Sequence, residues 1–438
     1  MRGVRGALPL LLAACQFDRP ANIDPPSDAA IDAPPPECAA STSSCTSDHF
    51  TACDADGHYV RYQVPNGAPD GSPTTLVMDR YPCPLGCAAD GMRCADVDAS
   101  NGLNAALDMT ATSPAGLDVV VDDPTGIATL VDQHEAGQSA VTIALANGGM
   151  IEVPAMLVTQ PGGPDISVLM VRSFSIRAGS TLKVRAVKPI AIVSHFDIYL
   201  AGRLDFGGEG NGATPLYPGC DVIDNALVNT AGGGAGGTAA GGASSSGAAG
   251  GAARSGESGI SPLAGGCIAM LGIGGGGLQL VSRTRVALAA TAVVDISGRH
   301  GQVVTSGGAF YASGGGAGGN LVVEAPGIGM ATGLLIVGRG GSGAAGNGAT
   351  RMAANGVSGS ADPTSATVPG AVCPDCSAIG GAGGTESHPS GGAGSGAGLA
   401  LAGGGGSVGR AMFRGRTSVV PPPGAAKLIA GAALLPSR

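Results

Sequence analysis

From Leu103 onward, apolar and polar residues alternate with the period of two expected of half-buried strands, and no stretch sustains a helical period. The runs "LDVVVDD", "GIATLV", "AVTIALANGGMIEV" and "ISVLMVRSFSIRAGSTLKVRAV" are short and rich in β-branched residues. Gly, Pro, Asn and Asp separate them, which marks strands joined by turns. Within "ALANGGMI", Asn147-Gly148 predicts a hairpin turn.

The same pattern recurs. Four segments start at Ala191 ("AIVSHFDIYLAGRLDFGGEGNG"), Gln279 ("QLVSRTRVALAATAVVDISGRHGQ"), Asn320 ("NLVVEAPGIGMATGLLIVGRGGSG") and Arg410 ("RAMFRGRTSVVPPPGAAKLIAGAALLP"). In each, an apolar strand meets a tight turn and two further strands follow. In the first three a Gly run closes the unit. One such unit has too little apolar surface to stand alone, but stacked units bury a continuous column. The expectation is an all-β chain whose main body, 96–438, is a right-handed parallel β-helix, a solenoid with Gly at its corners. Ile192, Leu280, Leu321 and Met412 are expected to form one inward column.

Gly is 79 of 438 residues, and its blocks, 207–277, 301–319, 338–361 and 378–409, fall between the repeats. They read as long Gly-rich loops on the faces of the solenoid. Ordering them costs about 1–2 kcal/mol per residue in backbone entropy, with little apolar burial to offset it. They are therefore either mobile or ordered by backbone packed against backbone, where Gly permits close approach.

The N-terminus "MRGVRGALPLLLAACQ" has a basic start and a short apolar run, the pattern of a signal peptide over 1–14. It ends in Leu12-Ala13-Ala14-Cys15, which resembles a bacterial lipobox. That resemblance implies acylation of Cys15 and, with Gln16 next, an outer-membrane address; a cleaved signal with a coincidental Cys is the alternative. Residues 15–36 are a Pro/Ala/Asp linker. Residues 37–95 hold Cys38, Cys45, Cys53, Cys83, Cys87 and Cys94, and Cys220, Cys267, Cys373 and Cys376 follow. Ten Cys in an exported chain read as disulfides. The first six staple a small module whose connectivity the spacing leaves open, Cys220 and Cys267 are placed to close the longest Gly block, and Cys373-Pro374-Asp375-Cys376 reads as a local bridge. A zinc knuckle around "CPLGCAADGMRC" fits no common ligand spacing.

Net charge is −9 without a Lys/Arg stripe, which speaks against nucleic acid as a partner. Gly272, Gly274 and Gly277 match a dinucleotide fingerprint but precede a strand, not a helix, and Ser407 in "GGSVG" has no His after it. No cofactor or metal is expected. A β-helix raises the possibility of a polysaccharide lyase or hydrolase, for which Asp197, Asp205, Asp295 and Glu324 are the candidate carboxylates. Asp205 and Asp295 occupy near-equivalent repeat positions before Gly-rich turns, which favours stacked turn-capping over catalysis.

The lipobox at Cys15, the Pro/Asp linker, "CPLGC", "PLAGGC" before "GGGGLQLVS", "GGGAGGNLVVEAP" and "GGGGSVGRAMFR" occur in that order. This plan resembles the Gly-rich predicted surface lipoproteins of the myxobacterial type, departing from it in the less regular "GRAMFRGRTSVVPPP". The resemblance implies a secreted, lipid-anchored β-solenoid and no assigned activity. The functional expectation is a structural or adhesive protein at the outer membrane or cell surface, held by its N-terminal lipid, with surface polysaccharide or another surface protein as partner. The alternatives are the carbohydrate-active enzyme and an autotransporter passenger, the latter disfavoured by an end in "ALLPSR".

Overall fold

The structure is a computed structural model. It describes residues 49–436 apart from 54–57, 64–75, 84, 88–94, 113–116, 125, 133–137, 209–229, 254–259, 270, 307–308, 348–351, 361, 363 and 366. Cys15, Cys38, Cys45, Cys94 and Cys220 lie outside the described residues, as do the signal peptide and the linker. In the Cys-rich segment, His49–Cys53, His58–Gln63 and Leu76–Pro82 form an antiparallel sheet.

The rest is nearly all β and mostly parallel. Its strands fall into three stacks, visited in turn by the chain. The first stack runs Ile166–Val171, Ile190–Ser194, Gly277–Ser282, Asn320–Glu324, Arg410–Gly415, Ile429–Leu434, each parallel to the next. The second runs Asp118–Val121, Ser173–Ile176, Ile198–Leu200, Arg285–Leu288, Gly327–Met330. The third runs Ile127–Asp132, Thr181–Ala186, Arg203–Asp205, Val293–Asp295, Leu335–Val337, Ala426–Lys427. Two antiparallel strands, Ala140–Ala144 and Met150–Val158, join the third stack to the first at the N-terminal end. The turn between them has Gly148 at φ 85° and Gly149 N–H donating to Asn147 Oδ1. The predicted hairpin is there.

All four sequence repeats coincide with passages through the stacks, and an unanticipated one, 166–186, precedes them. The last passage has no strand in the second stack, where "GRTSVVPPP" replaces it. Between the stacks lies one apolar core with Phe174, Phe206, Phe413 and Leu130 at full burial. The inward column of the first stack is Leu169, Ile192, Leu280, Val323, Phe413. The expected column is thus half right. Ile192 faces Leu280, but Leu321 is two residues away in register, opposite Leu278, and Met412 points to the other face, opposite Val322. A one-residue register difference inverts a strand's faces.

That other face is covered too. Leu103, Ala106 and Leu107 pack on Val168, Ala191, Val193, Val281 and Val322. Ala106 and Leu107 belong to a helix, Asn104–Thr112, which contradicts the expectation of no helix after Leu103. Among its described side chains only Ala106, Leu107 and the polar Thr110 are buried, too few apolar residues to register as a period.

The Gly-rich blocks are the largest correction. They leave the stacks at one place, between a third-stack strand and the next first-stack strand, as expected. Among the described residues they are not simply exposed loops, although 386–399 stay at the surface. Residues 231–237, 313–319, 340–345 and 402–409 are buried throughout. Their hydrogen bonds follow a period of three. In segment 403–409, the N–H groups of Gly403, Gly406 and Gly409 donate to Ala344, Gly341 and Gly338. Those of Gly404 and Ser407 donate to Gly232 and Ala235, and those of Gly405 and Val408 to Gly392 and Pro389. Ser313, Gly316 and Gly319 likewise donate to Gln302, Arg299 and Ile296, while Gly315 and Gly318 donate to Gly404 and Ser407. Three residues per turn without internal bonds is the polyproline II geometry. Segment 403–409 donates to three neighbouring segments and accepts from others, Gly381 and Gly384 on one side and Gly315 and Gly318 on another, making a lattice of packed backbones.

This is why Gly is required. A Cβ on Gly404 or Gly405 would collide with the carbonyl of Gly242 or Ala382. Where a lattice position faces outward, the sequence carries a methyl group, as at Ala240, Ala243, Ala249, Ala252 and Ala393, all exposed. Net stabilisation comes from paired peptide groups at about 0.5–1.5 kcal/mol each rather than from side chains.

Candidate functional site

The four candidate carboxylates do not converge. Asp197 is half-exposed and holds Arg285 through Nη2 at 2.6 Å and Nε at 3.1 Å, and accepts from Thr284 Oγ1 at 2.6 Å. Glu324 is fully buried on the outer face of the first stack. It accepts from Gln279 Nε2 at 2.8 Å, Ser100 N at 3.1 Å and Arg414 Nη1 at 3.1 Å. These contacts fasten the segment before the helix to the stack.

Asp205 and Asp295 are adjacent. They occupy the same register position on neighbouring third-stack strands, and each accepts a backbone N–H two residues on, from Gly207 and Ser297. Stacked turn-capping is what the sequence spacing predicted. Arg203 lies between them, bonded to Asp295 and 3.6 Å from Asp205 through Nε. Asp295 is fully buried. Burial, and then the charge of Asp205, push its pKa up to about 6, against the opposing pull of Arg203 and the Ser297 bonds.

Along the same column, past Val337, comes Lys427. It lines a cavity of 350 Å³ with Arg339, Ser365, Thr385, Glu386 and Ser387. Arg339 is buried at 1% exposure. Its Nη1 donates to the Ser365 carbonyl at 2.8 Å, its Nη2 to that of Asp362, and its Nε has no partner among the described residues. Burial lowers the Arg339 pKa, opposed by Asp295 and Asp362. Among the described residues Lys427 forms no ion pair. Thr385 and Ser387 face each other at 3.3 Å between hydroxyls, at the corner where the lattice segment 380–384 turns.

A second cavity of 470 Å³ adjoins the first and shares Glu386 with it. Its wall is apolar: Val420, Pro421, Pro422, Pro423, Ala426, Leu428, Ile429 and Ala430. Together the two make one open cleft between the lattice corner and the last strands of the stacks, polar at one end and proline-lined at the other. Sequence reasoning missed every residue of it. The only signal was that "SVVPPP" broke the repeat.

The remaining predicted positions are structural. Cys373 and Cys376 form the local bridge, and Cys83, Cys87 and Cys267 are each half of a disulfide. Ser407 is buried inside the lattice, and Gly272, Gly274 and Gly277 lead into the strand Gly277–Ser282. Among the described residues no group of His, Cys, Asp and Glu is arranged to hold a metal ion, and no helix is long and apolar enough to cross a membrane. No protein-family profile, characterised protein or solved structure matches this chain significantly.

Proposed function

We propose that this chain is an exported, lipid-anchored protein of the outer membrane or cell surface, with a structural and adhesive role, and that its three stacks form a right-handed parallel β-helix. The observation carrying this reading is the pairing of two rigid cores. Stacked apolar columns and a hydrogen-bonded Gly lattice run side by side and leave an open cleft at one end. Such a body suits holding a binding surface away from a membrane. The acidic N-terminal linker, the lipobox ending in Cys15 and the disulfides support export and anchoring. The carboxylates that would serve a polysaccharide-acting enzyme are engaged by Arg203, Arg285, Arg414 and backbone amides, which favours the binding reading.

Cys15→Ser is expected to move the protein from the detergent phase to the aqueous phase on partitioning. Retention in the detergent phase would refute the anchor. Cells displaying the wild-type protein are expected to adhere to polysaccharide- or protein-coated surfaces more than cells lacking it, and equal adherence would remove the adhesive role.

A further inference from the structure

We propose that the cleft between Lys427 and Pro421–Pro423 binds an extended peptide segment that carries a carboxylate, from another surface protein. This rests on the adhesive reading above and names its ligand.

The two ends of the cleft ask for different chemistry. At the polar end, the Lys427 ammonium has no anionic partner among the described residues. The nearest carboxylate on its column, Asp295, is already bonded to Arg203, and Glu386 is exposed at the rim. Arg339 adds a second positive charge, buried and opened to the cavity. Hydroxyls of Thr385 and Ser387 supply donors beside it. An anion placed here completes the charge pairing. At the other end, three consecutive prolines, Val420, Leu428 and Ile429 form an apolar wall, with Val420 70% exposed. A ligand filling both ends is charged at one end and apolar along the rest.

The main chain favours a peptide over a glycan. Ile429 and Ala430 belong to the strand Ile429–Leu434, the end of the strand order, so one of its edges pairs with no described strand. That edge carries neither Lys nor Pro, the usual guards of an open edge. An extended peptide can add to such an edge through its own N–H and C=O groups, with side chains alternating into the proline wall. Sugars are commonly held on aromatic faces, and among the described residues no aromatic ring lines the cleft.

The test uses the purified full chain in detergent and a hexapeptide library with Asp fixed at a free C-terminus. Wild-type protein is expected to enrich peptides with apolar residues before the carboxylate. Resynthesised hits should bind Lys427→Glu at least about tenfold more weakly, a difference of about 1.4 kcal/mol, while its thermal midpoint stays within a degree or two of wild type. Val420→Asp should weaken the same peptides and leave folding intact. The proposal is overturned if no sequence is enriched over Lys427→Glu, if hits and amidated Asp→Asn versions of them bind alike, or if inorganic phosphate or oligogalacturonate binds Lys427-dependently while the peptides do not. These outcomes are separate from the anchor and adhesion assays. Peptide binding without adhesion would refute the function and leave the site, and adhesion unchanged by Lys427→Glu together with no peptide binding would refute the site alone.

Discussion

Asp205 and Asp295 stand opposite one another in parallel register, two like charges on adjacent strands with Arg203 between them. One carboxylate is partly exposed and the other is fully buried. The arrangement tightens two successive turns, since each carboxylate caps the backbone two residues on. It also burdens the fold with a buried acid.

That burden depends on pH. The Asp295 pKa is raised from an ordinary 3.8 to about 6 in the folded protein. Between those values the folded state binds more protons than the unfolded one, so stability falls as pH rises and the loss is complete above about 6. At 1.36 kcal/mol per unit the whole effect is about 3 kcal/mol. Asp295→Asn should remove this component. Urea unfolding at about pH 4 and about pH 7 should show the wild type losing stability relative to the variant as pH rises; a gap that is constant or moves the other way contradicts it.

Leu280 sits in the inward column between Ile192 and Val323, fully buried. Leu280→Ala should cost about 2–5 kcal/mol, the range for deleting a buried Leu side chain. Tyr199→Ala, on the outer face of the second stack at 45% exposure, should change stability by about 0.5 kcal/mol or less. Chemical denaturation of the two variants measures both, and comparable losses would mean that the column has been assigned to the wrong face.

The lattice makes a similar contrast with smaller side chains. Gly405→Ala places a methyl group against the Ala382 carbonyl, and relief of that clash breaks the bonds to Gly392 and Gly242. A loss of about 3 kcal/mol is expected from overpacking and unpaired peptide groups together. Ala393→Gly, at an outward lattice position, should lose less than about 1 kcal/mol. Thermal denaturation of the pair separates a lattice from a set of loops, in which both substitutions would be nearly neutral.

How legible this was in the sequence varied with the source of the signal. The passages through the stacks were readable because apolar alternation and Gly runs recur at Ala191, Gln279, Asn320 and Arg410. The passage at Ile166 lacks a closing Gly run and was read as ordinary strands. The face of Met412 was misassigned because "RAMFRG" allows either register, and only pairing with Asn320–Glu324 fixes it. Asp205 and Asp295 were readable as a stacked pair from their repeat positions. The lattice was left as one of two options, since Gly carries no apolar signal and its period of three is blurred by Gly on every side. Outward alanines such as Ala240 and Ala243 hold that period in plain view, but recognising it needs knowledge of which neighbours they turn away from. The cleft was illegible because Arg339, Glu386 and Lys427 lie far apart in sequence and meet only through the stacking.

Disulfides provide an independent check on the proposed exported address. Cys83, Cys87, Cys267, Cys373 and Cys376 are all bonded. Thiol titration of the mature protein under denaturing, non-reducing conditions should find no free thiol among the ten Cys after Cys15. Reactive thiols that appear on adding a chelator would point to metal in the 37–95 segment.

The central claim is that the Gly-rich segments form a second core, held by backbone hydrogen bonds. Native-state hydrogen exchange tests it most directly. The amides of Gly315, Gly341, Gly404, Gly405 and Gly406 each donate to another segment of the lattice and lie at buried positions. They should exchange only through large-scale opening, with protection comparable to that of Leu280 and Val323 in the apolar column. Exchange of these glycines at the rate of an unstructured chain, with Leu280 and Val323 still protected, would mean that the blocks are loops and that the apolar stacks are the only core.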